Sequence, residues 1–151
     1  MQLESVIERI GDFCSDAILI TEAEPYRIPG PKILWANKSF SRMMGYQPEE
    51  VIGQTPRMFQ REDFDPEVGR RIGEGLDRWE QVREVVRNYT KDGRLVYVEL
   101  DIVPIADETG WFHFWLAVQR DVTERVLAEE RIEEAERRYQ AAAAVSLIGV
   151  W

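Results

Sequence analysis

Leu3, Val6, Ile7, Ile10 and Phe13 recur at helical spacing with Glu4, Glu8 and Arg9 on the other side, which predicts a short amphipathic helix ending near Gly11-Asp12. A short apolar run, Ala17 to Thr21, then reads as a buried strand. Pro25, Pro29, Gly30 and Pro31 make residues 22–31 an irregular loop, and Lys32 to Ala36 form a second strand. Asn37 suits the N-cap of a helix from Lys38, closed by Gly45 as a left-handed C-terminal residue. Pro48-Glu49-Glu50 opens another helical turn, and Asp65-Pro66-Glu67 opens a helix to about Leu76 that Gly69, Gly73 and Gly75 weaken. From Gln81 the period becomes two, with Val82, Glu84, Val86 and Asn88 on one face and Arg83, Val85, Arg87 and Tyr89 on the other. Lys91-Asp92-Gly93-Arg94 predicts a hairpin into a strand carrying Val96, Val98, Leu100 and Ile102 on one face. Asp107-Glu108-Thr109-Gly110 turns the chain again into a strand from Trp111 to Gln119. On that strand His113, Trp115, Ala117 and Gln119 are expected to point inward, and Phe112, Phe114, Leu116 and Val118 outward. Asp121-Val122-Thr123-Glu124 is a capping box, and Ala128, Ile132, Ala135, Tyr139 and Ala142 follow as a thin heptad seam.

The 151 residues supply one domain and flanking helices, and 44% hydrophobic with 11% aromatic residues is enough to bury a core. A net charge of −9 disfavours contact with nucleic acid or anionic lipid. No apolar run approaches the roughly 20 residues of a membrane span, and no secretory signal opens the chain. The lone Cys14 gives neither a disulfide nor a multi-Cys metal site, so the expected setting is a reducing, cytoplasmic one. No Ser/His/Asp set and no phosphate loop is present, so no catalytic residues are assigned and the chain is read as non-enzymatic. His113, the single His, has no partner motif for haem or metal, and both are disfavoured.

Four motifs in register resemble the PAS domain family on its light-oxygen-voltage (LOV)-like branch. They are Asn37-Lys38-Ser39-Phe40 with Met44-Gly45-Tyr46; Pro48-Glu49-Glu50-Val51-Ile52-Gly53; Asn88-Tyr89-Thr90-Lys91-Asp92-Gly93; and Val118-Gln119-Arg120-Asp121-Val122-Thr123-Glu124. The resemblance implies an α+β fold, a five-stranded antiparallel sheet with helices over one face, flanked by the N-terminal amphipathic helix and a C-terminal coiled-coil-like linker helix. It divides the chain into a helix at 1–12, the PAS domain at 13–122, a signalling helix at 123–144, and the start of a following, truncated domain at 145–151. That last apolar segment reads as a first strand without partners, so the chain is expected to be a module of a longer protein.

The branch works through a cysteine in G-x-N-C-R-F-L-Q that adds to a flavin. Here the segment is Gly53-Gln54-Thr55-Pro56-Arg57-Met58-Phe59-Gln60, with Pro56 in the cysteine's place and no nucleophile. By the same resemblance Asn88 keeps one ring-edge amide, Val98 replaces the second, Gln119 matches the reporter amide, and Arg57 matches one phosphate-binding arginine while the other falls on Gly73. Flavin is the cofactor the branch implies, and Pro56, Val98 and Gly73 each remove a contact with it. The candidate pocket residues are Asn88, Gln119, Arg57, Gln60, Thr55, Val98 and Trp115, and the candidate signalling residues are Asp121, Thr123 and Glu124. The expected function is sensory. Pocket or dimer state is coupled through the C-terminal helix to an output domain of the same polypeptide, such as a diguanylate cyclase, a phosphodiesterase or a histidine kinase. Two rivals stand beside it: a ligand-free dimerisation spacer, and a flavin-binding redox or light sensor without adduct chemistry. A small-molecule ligand and a homodimer are the expected partners. The dimer is expected to depend on Leu3, Ile7 and Phe114 more than on Ile132.

Overall fold

The computed structural model describes residues 3–148, without the side chains of residues 3, 4 and 148. It falls into two units, one ending at Asp121 and one beginning at Val122. The first contains α1 (Leu3–Phe13), β1 (Ala17–Glu22), β2 (Ile33–Ala36), α2 (Lys38–Met44), α3 (Pro48–Val51), a 3-10 turn (Pro56–Phe59), α4 (Pro66–Asp77), β3 (Val82–Tyr89), β4 (Leu95–Ala106) and β5 (Phe112–Asp121). The strands form one antiparallel sheet in the order β2-β1-β5-β4-β3. This is the PAS fold, with the central strands β1 and β5 brought together from opposite ends of the domain.

Asn37 is the point where four elements meet. Its Oδ1 accepts from the amides of Phe40 (3.0 Å) and Ile18 (2.9 Å), capping α2 and pairing β1. Its Nδ2 donates to the carbonyls of Gly11 (2.8 Å) in α1 and Asp16 (2.9 Å). The side chain is fully buried with both amide atoms engaged, which is the condition a buried amide must meet. Gly11 lies inside α1, which runs on to Phe13, because a Cβ there would stand 2.4 Å from Cη2 of Trp35. The glycine lets the helix lie directly on that ring.

One apolar cluster gathers Leu19, Ile33, Phe40, Met44, Val51 and Phe59 under α2 and α3. A second gathers Val68 of α4 with Val86, Val96 and Val98 on the inner sheet face. Close helix–sheet packing explains a glycine that the helical pattern alone counts as a weakness. A Cβ on Gly75 would meet Cγ2 of Val82 at 2.3 Å.

The last strand departs from strict alternation. The pairing of β4 with β5 shifts register between Ile105 and Ala106, so that Ala106 faces Phe112 and His113 is left as an extra residue. Two expectations change as a result. His113 is exposed beside Asp107 and does not point inward with Trp115, and Phe112 stacks on Trp79 (ring centroids 5.0 Å apart) and does not stand outward with Phe114. Asp107 ties the preceding turn by accepting from the hydroxyl of Thr109 (2.6 Å), the amide of Thr109 (2.8 Å) and the amide of Trp111 (3.2 Å). These bonds, the Thr109 hydroxyl first and His113 second, hold its carboxyl far below the usual carboxylate range. A depressed folded pKa means the turn's stabilisation is complete above the unfolded value of about 3.9 and is lost as pH falls through the folded one. The Thr109 and Trp111 amide resonances are therefore expected to hold their positions from neutral pH down to about pH 4 and to move only in stronger acid.

The second unit is α5 (Thr123–Ile148), a single helix of 26 residues. Its i,i+4 pairs include Arg138–Glu134 at 2.7 Å, and Leu127, Ile132, Tyr139, Val145 and Leu147 are exposed. Residues 145–148, expected to open a strand, are the last helical turn, continuous with the Ala141–Ala144 run, and residues 149–151 lie outside the described residues. No helix among the described residues is long and apolar enough to cross a membrane.

Candidate functional site

The inner sheet face, α4 and the Pro-rich loop enclose a cavity of about 220 Å³. Its apolar wall includes Leu100 and Ile102 from β4 and Phe64, Ile72 and Leu76 from the helical side. Pro56, Arg57 and Gln60 enter from the 3-10 turn and the residue after it, and Tyr26 and Arg27 from the loop before β2. Thr55 is the N-cap of that turn, and its carbonyl accepts from the amide of Met58 at 3.0 Å. The geometry therefore groups Arg57 and Gln60 with Pro56, as the sequence motif does.

Arg57 is half-buried and donates to two loop carbonyls, that of Gly30 and that of Tyr26 (3.2 Å). Burial and the positive charge of Arg27 both push its pKa down, burial first. Among the described residues no carboxylate forms an ion pair with it. Arg27 bonds Asp77 at 2.6 Å, and Asp77 also accepts from the hydroxyl of Tyr26 at 3.0 Å. The hydrogen bond from Arg27 is the main cause of the lowered pKa of Asp77, and the bond to Asp77 raises that of Tyr26.

The remaining candidate residues lie elsewhere. Gln119 is buried with its Oε1 lacking a hydrogen-bond partner, and it lines a separate open cleft of about 500 Å³ with Ala17, Ser39, Arg42 and Met43. Asn88 is buried on β3 with its Oδ1 also lacking a partner, and it lines neither space. Val98 is wholly buried in the valine cluster. Trp115 is 2% exposed, donates through Nε1 to the carbonyl of Ala23 (3.0 Å) and stacks on Trp79 at 4.9 Å. Phe112 stacks on Trp79 as well, and Tyr26 meets both Trp79 and Trp115 edge-on. Trp115 is thus placed as a packing and hydrogen-bonding residue. Asp121 ends β5, and Thr123 and Glu124 open α5.

Sequence reasoning missed Arg27. It comes from the loop of prolines, where no periodicity reaches, and its guanidinium rests against α4 at Gly73: a Cβ there would stand 3.0 Å from Nη1. The glycine that marks a lost arginine is the opening through which another arginine packs.

Tested against a flavin, these residues do not fit. Pro56 supplies no thiol, Val98 supplies no amide, and the unpartnered amide oxygens of Asn88 and Gln119 stand outside the cavity that Arg57 lines. Its 220 Å³ is also below the roughly 300–1,000 Å³ of pockets for drug-sized ligands. Among the described residues no cluster of His, Cys, Asp and Glu is arranged to hold a metal ion. Blue light on the chain mixed with flavin mononucleotide is expected to leave the flavin spectrum without a thioether adduct, because Pro56 has no nucleophile to add. A reversible adduct in difference spectroscopy would contradict the placement of that segment.

The five-stranded sheet, its helical cover and the turn at Pro56 define a class, and the PAS domain family model matches residues 15–124. The chain belongs to the PAS domain family, on its LOV-like branch of sensor modules. It is 31% identical over 124 residues to blue-light-activated histidine kinase 1 of Erythrobacter litoralis, covering 82% of this chain and 34% of that protein. It is 36% identical over 109 residues to the bacterioopsin transcriptional activator of Halobacterium salinarum, covering 70% of this chain and 16% of that protein. The chain thus spans about a third or less of the length of these relatives. Among solved structures, an RNA-binding LOV receptor superposes with a TM-score of 0.80 at 26% identity, over 93% of this chain and 39% of that one. A LOV domain studied with a flavin analogue gives 0.68 at 31% identity, over 80% of this chain and 88% of that one.

Proposed function

We propose that this chain is the sensing segment of a larger signal-transduction protein, and that it passes the state of its inner face through β5 to α5 and on to an output domain of the same polypeptide. The histidine kinase and the transcriptional activator among its relatives support outputs of that kind, and a diguanylate cyclase or phosphodiesterase would use the same helix. The observation that carries the reading is Gln119, a buried amide with an unpartnered oxygen two residues before the end of β5. Its cross-strand neighbour Leu100 lines the cavity, so a change of packing there acts on the strand that leads to α5. The chain itself contributes no catalysis in this reading. It works as a homodimer through α1 and the outer sheet face, in a cytoplasmic setting.

An unpartnered buried polar atom costs about 1–3 kcal/mol and persists where a ligand or a second state repays it. Gln119→Leu and Asn88→Leu are therefore expected to leave the ligand-free chain equally stable or up to about 1–2 kcal/mol more stable by thermal melting. A loss of several kcal/mol in both variants would mark the two amides as structural and favour the rival reading, a ligand-free spacer, which the tightly packed valine cluster around Val98 otherwise supports.

A further inference from the structure

Where β5 begins, Trp79, Gly110, Trp111 and Phe112 line a recess of about 140 Å³ together with Glu24. No residue lines both this recess and the cavity that Arg57 enters. The rings of Trp79 and Phe112 are parallel with centroids 5.0 Å apart, and Tyr26 meets Trp79 edge-on, so this wall is fixed by packing. Trp111 is 68% exposed and has no ring partner among the described residues. Gly110 adds no side chain, and a Cβ there would meet nothing within 4 Å, which leaves that side of the recess open. Glu24 is exposed, and its carboxylate forms no ion pair among the described residues. No lysine or arginine lines the recess.

The π face of an aromatic ring is negative and attracts a cation, most strongly at Trp. Two indoles and a phenyl ring beside an unpaired carboxylate therefore favour positive charge, and a chain of net charge −9 draws cations toward it. The same groups choose among cations. A primary ammonium is strongly hydrated and needs acceptors for its N–H groups, of which the lining side chains offer one carboxylate. A quaternary ammonium has no N–H to satisfy and sets its methyl groups against the rings. Size agrees, since an apolar cavity of about 150 Å³ takes up one benzene and this recess has room for one compact head group. We infer that the recess binds the trimethylammonium head group of a small, choline-like cation, with Trp79, Trp111 and Phe112 as its cage and Glu24 as its counter-charge.

The probes are choline, its uncharged isostere 3,3-dimethylbutan-1-ol and the primary amine ethanolamine, titrated into the whole chain at constant ionic strength. The readout is the indole N–H resonances of Trp79 and Trp111, with Trp35, which lies against α1 at Gly11, as the internal control. Choline is expected to move the first two saturably, to leave Trp35 in place, and to bind at least about fivefold more tightly than either comparator. Trp111→Ala is expected to weaken choline at least about fivefold while Trp111→Phe, which keeps a ring, stays within about threefold of the unsubstituted chain. Glu24→Gln is expected to weaken choline about threefold and to leave the neutral isostere unchanged. Both positions are exposed, so circular dichroism is expected to be unaltered in all three variants. A peptide carrying trimethyllysine is expected to bind no more tightly than choline. Equal affinity for choline and its neutral isostere, equal affinity for ethanolamine, no saturable shift, or choline binding unchanged in Trp111→Ala would each overturn the assignment. So would tighter binding of the trimethyllysine peptide, which assigns the recess to a partner protein, or a Trp111 resonance that moves with protein concentration instead of with choline, which assigns it to a second copy of the chain.

Discussion

Replacing Asn37 by alanine is expected to lower the stability of the domain by about 3–5 kcal/mol, seen as a fall of roughly 10–20 °C in the melting temperature. The reason is geometric. The amide is fully buried and completes four hydrogen bonds, to α1, the segment before β1, β1 itself and α2. Each such bond contributes about 1 kcal/mol net, but alanine leaves the amides of Ile18 and Phe40 and the carbonyls of Gly11 and Asp16 without their partner in a space closed to water. Asn37→Asp keeps the accepting oxygens and sets a carboxylate against two carbonyl oxygens, so it is expected to be no better than alanine. Asn37→Ser keeps the cap alone and should fall between the unsubstituted chain and the alanine variant. Calorimetric melting of the three variants gives the order, and a loss under 1 kcal/mol for alanine would contradict the role assigned to this residue.

The double variant Ile10→Asp, Phe13→Asp is expected to convert the proposed homodimer into a monomer. Ile7, Ile10 and Phe13 on α1 are 51%, 64% and 88% exposed, and Phe114 and Ile105 on the outer sheet face are 41% and 38% exposed. Within the first unit these two apolar surfaces do not cover one another. Covering them between two copies buries several large side chains at about 1.5–3 kcal/mol each, and a carboxylate in their place forfeits that burial and adds a desolvation cost. The two positions are open to solvent in one chain, so the fold itself is expected to survive. Ile132→Asp on α5 is expected to do less, since the apolar positions of that helix do not gather on one side over its length. Light scattering beside circular dichroism reads both effects. An unsubstituted chain that is monomeric at high micromolar concentration would contradict the arrangement, and Phe114→Asp tests its other face independently.

Local chemistry made much of this fold legible in the sequence. Asn37 and Gly45 mark α2 because a side-chain oxygen and a left-handed residue satisfy the ends of a helix, and both do so here, Gly45 with φ 80°. Gly93 and Gly110, with φ 86° and 88°, close the two turns that the alternating strands predict. What stayed hidden depends on contacts distant in sequence. The register shift opposite Ile105 moves Phe112 and His113 to new sides, and strict alternation contains no sign of it. Trp79 adopts φ 55°, a conformation unusual for a bulky residue, at the position where its ring stacks on both Phe112 and Trp115. Arg27 reaches the cavity from a loop whose prolines carry no periodic signal, and only the space left by Gly73 shows why it fits. Of the segment 145–151 expected to open a strand, the described part, Val145-Ser146-Leu147-Ile148, illustrates a different limit: so short a stretch suits a strand or a helical turn equally, and the alanines before it decide for helix. At the site, the motif around Pro56 brought Arg57 and Gln60 to one cavity, while Asn88 and Gln119 lie apart from it because the inner face between strands is occupied by packed valines.

The central claim is that the state of the inner face is read out by α5, and amide hydrogen exchange across residues 123–148 tests it most directly. The comparison is between the unsubstituted chain and Gln119→Leu, both shown to be folded. The account predicts that exchange in the first turns of α5 changes several-fold in the variant while β1 and β2 exchange as before. Identical exchange along α5 in the two proteins would contradict it.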